Sequence, residues 1–522
     1  MSAGRNARRR FLQALSALGL AAAVPARAQT LNAKPRFVAF PFTLGVASGY
    51  PGTTWLTLWT RLAPVPFAPG GGMPPEIVPV TWEVARDEAM KDIAASGTVY
   101  ATPEWGHSVH AEATGLQSNR PYFYRFSAGD AQSAVGRTRT VPGSGGKPPR
   151  LRFAFASCQQ YEQGYYGAYR HMAADQPDLI LHLGDYIYEG SWGRDHVRKH
   201  NAPEAVTLDD YRARHALYKS DPDLQAAHAA CPWLLTWDDH EVDNDYAADR
   251  SERLDTREWF LARRAAAYKA WYENMPVPRG MLPVGPHMRI HARATYGNLA
   301  SFFLVDNRQY RSPQPCQRPG RGGGSTVDAA ECAELADPKR TYLGAQQEQW
   351  LEDGLASSRQ RWNVIAQQTL MAQLNRAEAA GKSVWTDGWD GYPGSRRRLL
   401  EHLGAAKVSN PVVIGGDVHA FYVSQLKPDF DDPGSPVVAS EFVGTSISSQ
   451  HGAQEWLDKR RAANPHVLLA ESRYRGYTRV DVTQKRMQVE LRAMESVQTR
   501  ESPCSTLATF VVEDGKPSPV RA

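Results

Sequence analysis

The sequence predicts an α/β fold, a layered β-sandwich flanked by helices and preceded by a small all-β domain. Three observations carry that expectation. At 522 residues the chain is longer than one ordinary core accommodates. From Phe37 to about Pro142, short alternating runs separated by Pro/Gly turns read as strands alone. Beyond a Pro-Gly-Ser-Gly-Gly-Lys-Pro-Pro linker at 142–149, apolar strand-type runs alternate with helical stretches. Hydrophobic residues at 42% and charged residues at 22% mark a folded globular chain and exclude a disordered one.

The first residues stand outside that fold. Arg8-Arg9-Arg10-Phe11-Leu12 opens an Ala- and Leu-rich run to Val24, followed by Ala26-Arg27-Ala28. This is a charged segment, an apolar segment too short to span a bilayer, and a small-x-small cleavage site. The Arg-Arg-x-Phe-Leu pattern is similar to a twin-arginine export signal. Residues 1–28 are therefore expected to be a signal peptide handled by the twin-arginine translocase, with a periplasmic or secreted product beginning near Gln29. Such export carries folded chains, which hints at a metal inserted beforehand. No later segment is long and apolar enough to form a membrane span. The five arginines before Gln29 account for the whole excess of 60 basic over 55 acidic residues. The mature chain is then formally neutral, so the net charge of +5 says nothing about nucleic-acid binding and no nucleic-acid-binding surface is evident.

Five cysteines enter an oxidising compartment. Cys316 and Cys332 flank a Pro/Gly-rich loop that a disulfide would staple, and Cys231 with Cys504 is a second candidate pair. Cys158 is then left over and calls for another explanation.

In chain order, residues 37–145 form the β domain. Trp55-Leu56-Thr57-Leu58-Trp59 and Val80-Thr81-Trp82-Glu83-Val84 alternate as half-buried strands do. Gly115–Arg120 then Pro121–Phe126 gives a corner before an aromatic strand, as in immunoglobulin-like sandwiches. No metal-type cluster occurs there, so a structural or substrate-shaping part is expected. Residues 149–515 form the second domain. Strands are expected at Leu151–Ala156, Leu179–Leu183, Trp233–Trp237, Phe302–Val305, Asn363–Ala366 and Val412–Ile414. Helices are expected at Tyr166–Ala174, across Leu208–Ala230 with a break before Pro222, at Thr256–Asn274 and at Gln346–Ser358.

Four of those strands end in polar clusters: Cys158; Asp185 with Tyr188; Asp238-Asp239-His240; and Asp417 with His419. A lone Asp after a strand is usually a helix cap, and a buried Tyr is usually core. Four such clusters in one domain, at the edge where layered α/β sheets place their ligand chemistry, point to a site. Asp417 and His419 stand two apart, so an extended backbone turns both the same way.

The order strand-Cys, strand-Gly-Asp-x-x-Tyr, strand-Asp-Asp-His, strand-Gly-Asp-x-His resembles the calcineurin-like metallophosphoesterases, and more closely the PhoD-like alkaline phosphatases. The resemblance runs through Ser157-Cys158-Gln159, Gly184-Asp185-Tyr186-Ile187-Tyr188-Glu189, Trp237–Asn244 and Gly415-Gly416-Asp417-Val418-His419-Ala420. It covers essentially the whole mature chain. The general superfamily pattern has Asp-x-His where Ser157-Cys158-Gln159 stands, Asp where Tyr188 stands, and Gly-Asn-His where Asp-Asp-His stands. A thiolate and a phenolate at one metal favour trivalent iron. Asp185 would bridge to a second site richer in oxygen, from Asp239 and Asn244, which suits calcium. The resemblance implies the same pair, ferric iron with calcium. Asp417 and His419 would close the site. Whether Asp238 or Asp239 is the ligand, and which ion Asp417 and His419 serve, stays open.

The implied function is an exported metal-dependent phosphatase acting on small phosphate esters by attack of a metal-held hydroxide. His240 is the candidate to hydrogen-bond the phosphate or protonate the leaving group, with a supporting position behind the ligands as its alternative. Two rivals remain: a phosphodiesterase or phospholipase D-like hydrolase, and a non-catalytic exported binding protein on the same fold.

Overall fold

The computed structural model describes residues 30–522 except residue 379, and the signal expected at residues 1–28 lies outside the described residues. Among the described residues a ten-stranded and a seven-stranded sheet dominate. At the centre of the first are three parallel strands, Leu151–Ala156, Leu179–Leu183 and Trp233–Thr236. Leu181 pairs with Phe155 on one side and Leu234 on the other. Their C-terminal ends therefore open at one edge. The second sheet is built on the parallel strands Ala300–Leu304, Trp362–Ala366, Pro411–Gly415 and Ala439–Val443.

Side-chain alternation explains how the sheets stack. Phe302, Val364, Val412 and Ile414 share one core with Phe153, Phe155 and Val480 of the ten-stranded sheet. The intervening Phe303, Ile365 and Val413 enter a second core with Leu351, Leu355, Leu399 and Leu403. These last lie on the helices Ala345–Ala356 and Pro393–Ala405. A strand covered on both faces must be apolar at every position, hence the unbroken Val/Ile/Phe runs. The Phe153 and Phe302 rings meet edge to face at 5.2 Å across the sandwich.

Helices Gly167–Ala174, Leu208–Lys219, Pro222–Ala230 and Arg257–Asn274 pack onto the first core. The break before Pro222 has a local cause. Asp221 Oδ1 accepts from the N–H groups of Asp223 (3.0 Å) and Leu224 (3.3 Å), capping a new helix whose first residue is proline. Trp237 stacks on Tyr268 at 4.1 Å, tying the longest of these helices to the end of a central strand.

The residues expected to form an N-terminal β domain divide between two sheets. Val46–Gly49, Trp55–Arg61 and Ser108–Thr114 continue the ten-stranded sheet, through the pairing of Gly49 with Trp233. Val78–Ala85, Ile93–Ala101 and Pro121–Ala128 belong to a separate five-stranded sheet. Leu56, Leu58, Val80, Val84 and Tyr124 form the core between them.

Cys316 and Cys332 are joined, with Cα atoms 6.0 Å apart. The candidate Cys231–Cys504 pair is corrected: both thiols are free. Cys504 opens an edge-side strand, and four strands separate it from Trp233–Thr236, which follows Cys231. At about 4.8 Å per strand that separation far exceeds the reach of a disulfide.

One layer of this fold is basic and buried. His182, His215, Lys219 and His228 gather around Tyr186, Trp59 and Trp233. Lys219 Nζ lies 4.1 Å from the Trp59 ring centre, and no carboxylate pairs with it among the described residues. Burial holds Lys219 down at about 7 and His182 at about 3. Burial also lowers His215 and His228, and the charge of Lys219 pushes the same way. The folded chain thus binds fewer protons at these groups than the unfolded chain, so their contribution to stability grows with pH. Lys219→Met should be more stable than the parent near pH 7. That advantage should shrink by about 1.4 kcal/mol per pH unit as the pH rises toward 10.5, the ordinary lysine value. Urea midpoints measured across that range check it; a pH-independent difference would refute it.

Candidate metal centre

Cys158, Asp185 and Asp417 each sit two residues past the end of a strand and His419 sits four past, and the backbone there is unusual. Cys158, Asp185, Asp417 and His419 have φ of +59°, +55°, +63° and +51°. Non-glycine residues rarely occupy this region, and they concentrate where surrounding structure holds a functional side chain in place. The left-handed turn reverses the chain abruptly, so each side chain is delivered at the strand mouth.

Two glycines make the convergence possible. Gly184 has φ +108°, and a Cβ on it would fall 2.6 Å from Asp238 Cβ. A Cβ on Gly416 would fall 2.4 Å from Ser157 Oγ. The second contact is where the ends of the two sheets touch, alongside the isolated bridge between Ser157 and Ser446.

Glu241 fastens two of the donor loops together. Its Oε2 accepts from the backbone N–H of Asp185 (3.1 Å) and of Asp238 (2.8 Å), and its Oε1 accepts from that of Tyr186 (2.6 Å). Burial raises this carboxyl to about 8, against those three N–H groups.

Potential ligand atoms of Cys158, Asp185 and His419 lie within 4.8 Å of one another. The same holds for Asp185, Asp239 and His240; for Asp238, Asp239 and Asp417; and for Asp239, Asp245 and Asp387. Asp185 joins the first two groups, and Asp239 joins the last three. Tyr188 Oη donates to Asp185 Oδ2 (2.8 Å), accepts from Ser449 Oγ (2.9 Å) and stands 3.2 Å from His419 Nε2. His419 Nδ1 is 2.8 Å from the Gln450 carbonyl. As the donor there, it leaves the Nε2 lone pair facing Tyr188. The Trp192 indole stacks on this imidazole at 5.7 Å.

Asp238 and Asp239 divide their work. Arg308 Nε donates to Asp238 Oδ1, and Arg308 Nη2 lies 3.6 Å from Asp239 Oδ1. Arg308 Nη1 pairs with Asp387 at 2.9 Å, and Arg311 also pairs with Asp387, at 2.6 Å. His240 Nδ1 is 2.8 Å from Glu189 Oε2, and its ring leans on Tyr188 at 4.2 Å. The backbone N–H of Asn244 donates to Glu189 Oε1 (3.0 Å).

The electrostatics fit a cation. Asp185 Oδ1, Asp238 Oδ2 and Asp239 Oδ1 are buried without hydrogen-bond partners among the described residues. Burial pushes Asp185 well above the carboxylate range; His240 opposes the shift, while Asp239 and Asp238 add to it. Burial raises Asp417 too, with Asp238 and Asp239 contributing. The Cys158 thiol and the Tyr188 phenol are raised by burial and by the Asp185 charge. Burial likewise opposes charge at Asp239, but Arg308 and His240 outweigh it and hold this carboxyl low. His419 is held neutral, at about 3, by burial and by Arg475. Burial works against a charged His240 as well, yet Glu189, Asp239 and Asp185 raise it well above the ordinary value. Thiol, phenol, carboxylates and a neutral imidazole with a free nitrogen form a donor set that bound cations would satisfy.

Sequence reasoning missed Glu241, Arg308, Asp245, Asp387 and Ser449. Arg308 lies three residues beyond the strand expected at Phe302–Val305, and that strand end is the available signal for it. Asp387 follows a three-residue strand, and no periodic pattern marks it.

Comparison with known proteins gives one consistent result. The family model for "PhoD-like phosphatase" matches residues 153–491, and that for "PhoD-like phosphatase, N-terminal domain" matches residues 26–142. Alkaline phosphatase D of Bacillus subtilis is 46% identical over 521 residues, covering 97% of this chain and 87% of the relative. A solved structure titled "Structure of PhoD" superposes with a TM-score of 0.89 at 46% identity, covering 94% of this chain and 93% of the other.

Glu241→Ala would leave three backbone N–H groups without their acceptor. It should lower stability by about 3 kcal/mol or more, since each orphaned buried donor costs roughly 1–3 kcal/mol. A urea midpoint equal to that of the parent would contradict the fastening role.

Proposed function

The chain belongs to the PhoD-like phosphatase family and is a phosphoric ester hydrolase of the alkaline phosphatase class; from that premise we propose that it is an exported, metal-dependent enzyme. Its substrates are small phosphate monoesters, with diesters as further candidates. The observation that carries this reading is the convergence of Cys158, Asp185, Tyr188 and His419, with Asp185 Oδ1 buried and unpaired.

Thiol and phenol beside carboxylate and imidazole favour ferric iron at the Cys158–Tyr188–His419 side. The oxygen-rich side, with Asp239 and Asn244, favours calcium, and Asp185 would serve both ions. Asp417 lies within reach of Asp238 and Asp239 and would complete the oxygen set. Metal ions bound there supply Lewis acidity, activating water and neutralising charge on the transferring phosphoryl group.

The chain's own groups orient and protonate. With Nδ1 held by Glu189, protonated His240 has Nε2–H left to hydrogen-bond a phosphate oxygen or to protonate the departing alkoxide. Arg308 keeps Asp238 and Asp239 oriented and partly offsets their repulsion. Glu241 holds the two loops in register. For export, the support is Arg8-Arg9-Arg10-Phe11-Leu12 together with the Cys316–Cys332 disulfide, which suits an oxidising compartment. No helix among the described residues is long and apolar enough to cross a membrane.

Two measurements test the reading. The purified, metal-loaded protein should absorb visible light through a tyrosinate-to-iron transition, and Tyr188→Phe should abolish that band. A colourless, active, fully metallated protein would remove iron from the proposal. Asp185→Ala should lose bound metal and at least roughly a thousandfold in kcat/KM on both a monoester and a diester, with its circular dichroism preserved. Retained hydrolysis of either ester would move the active site elsewhere.

A further inference from the structure

A cavity of about 200 Å³ opens beside Asp417, lined by the indoles of Trp385, Trp389 and Trp456, by Tyr422 and by the guanidinium of Arg376. Arg376 lies between two of these indoles, 5.3 Å from the Trp385 ring centre and 5.2 Å from that of Trp456. Its backbone is pinned, the N–H to Ser383 O (2.7 Å) and the carbonyl to Arg460 Nε (2.8 Å). Its Nε is buried with no hydrogen-bond partner among the described residues.

The neighbouring carboxylates are committed elsewhere. Asp390 pairs with Arg396 at 2.6 Å, and Glu378 pairs with Arg460 at 2.8 Å. Asp417 belongs to the donor group with Asp238 and Asp239. Among the described residues Arg376 is thus a cation held in an aromatic box without an anion of its own. Burying a charge without a counter-charge is costly, and indole faces offset only part of that cost.

We propose that this cavity receives the leaving alcohol of the ester and selects alcohols with a flat or apolar face that carry an oxyanion, either a carboxylate or a second phosphate. The inference rests on the reading of the Asp185 centre as the hydrolytic site. Asp417 connects the two, because it both lines the cavity and belongs to that centre. The indoles offer stacking surface to the alcohol. The guanidinium fork matches the geometry of a carboxylate or a phosphate and meets its missing anion.

The test compares phenyl phosphate with para-carboxyphenyl phosphate and para-phenylene bisphosphate, on the metal-loaded full chain and its Arg376→Gln and Arg376→Lys variants. The parent should favour at least one charged ester by roughly tenfold or more in kcat/KM, the strength of a hydrogen-bonded charge pair. Arg376→Gln should lose that preference and Arg376→Lys should restore part of it. Which charged ester is favoured identifies the oxyanion. Equal selectivity in parent and Arg376→Gln would overturn the proposal, as would an equal loss on all three esters, which marks a structural strut. Benzoate binding, followed by tryptophan fluorescence, separates this from the hydrolytic reading. It should weaken roughly tenfold in Arg376→Gln, and unchanged binding overturns the subsite even if none of the esters is hydrolysed.

Discussion

The centre of this molecule is a repulsion. Asp185, Asp238, Asp239, Asp245, Asp387 and Asp417 crowd one region, while Arg308 and Arg311 supply the cations that pair within it. Left to itself, such a cluster would drive its members apart or neutralise them by protonation. What keeps it together is backbone scaffolding: strand ends in left-handed turns, glycines where two backbones nearly touch, and the Glu241 carboxyl group, which accepts from three N–H groups at once. The fold holds anions where electrostatics alone would not.

How much of this was legible in the sequence depends on where each partner comes from. Asp185, Asp417 and His419 follow directly on apolar runs, so strand recognition was enough to bring them forward. Cys158 was singled out by an odd cysteine count, and Tyr188 by its spacing from Asp185. Arg308 stands 70 residues from Asp238 and Glu241 stands 56 from Asp185, and no local pattern announces either contact. The three N-terminal strands posed a similar problem. Their alternation marks them as β, but their place in the main sheet depends on Gly49 meeting Trp233, a pairing that lies outside any sequence window. The proposed Cys231–Cys504 pair failed for the same reason: parity in a count carries no distance.

The basic layer behind the central strands complements the acidic front. His182 lies on the strand that delivers Asp185, and Tyr186, next to Asp185, has its hydroxyl 2.8 Å from His228 Nε2. One short stretch therefore separates a region that resists losing its protons from one that resists gaining them. Both resistances come from burial, which disfavours charge of either sign.

The two-sheet origin of the donors also sets an order of events for the chain as it is made. Cys158, Asp185 and Asp239 emerge early, but Asp417 and His419 come nearly two hundred residues after Asp239, on a sheet that must first pack against the other. Contacts so distant in sequence form slowly, because loop-closure entropy is lost before any of them stabilises the product. Completion of the candidate donor set is thus expected late in folding, and a metal bound at the proposed centre would report that both sheets have closed.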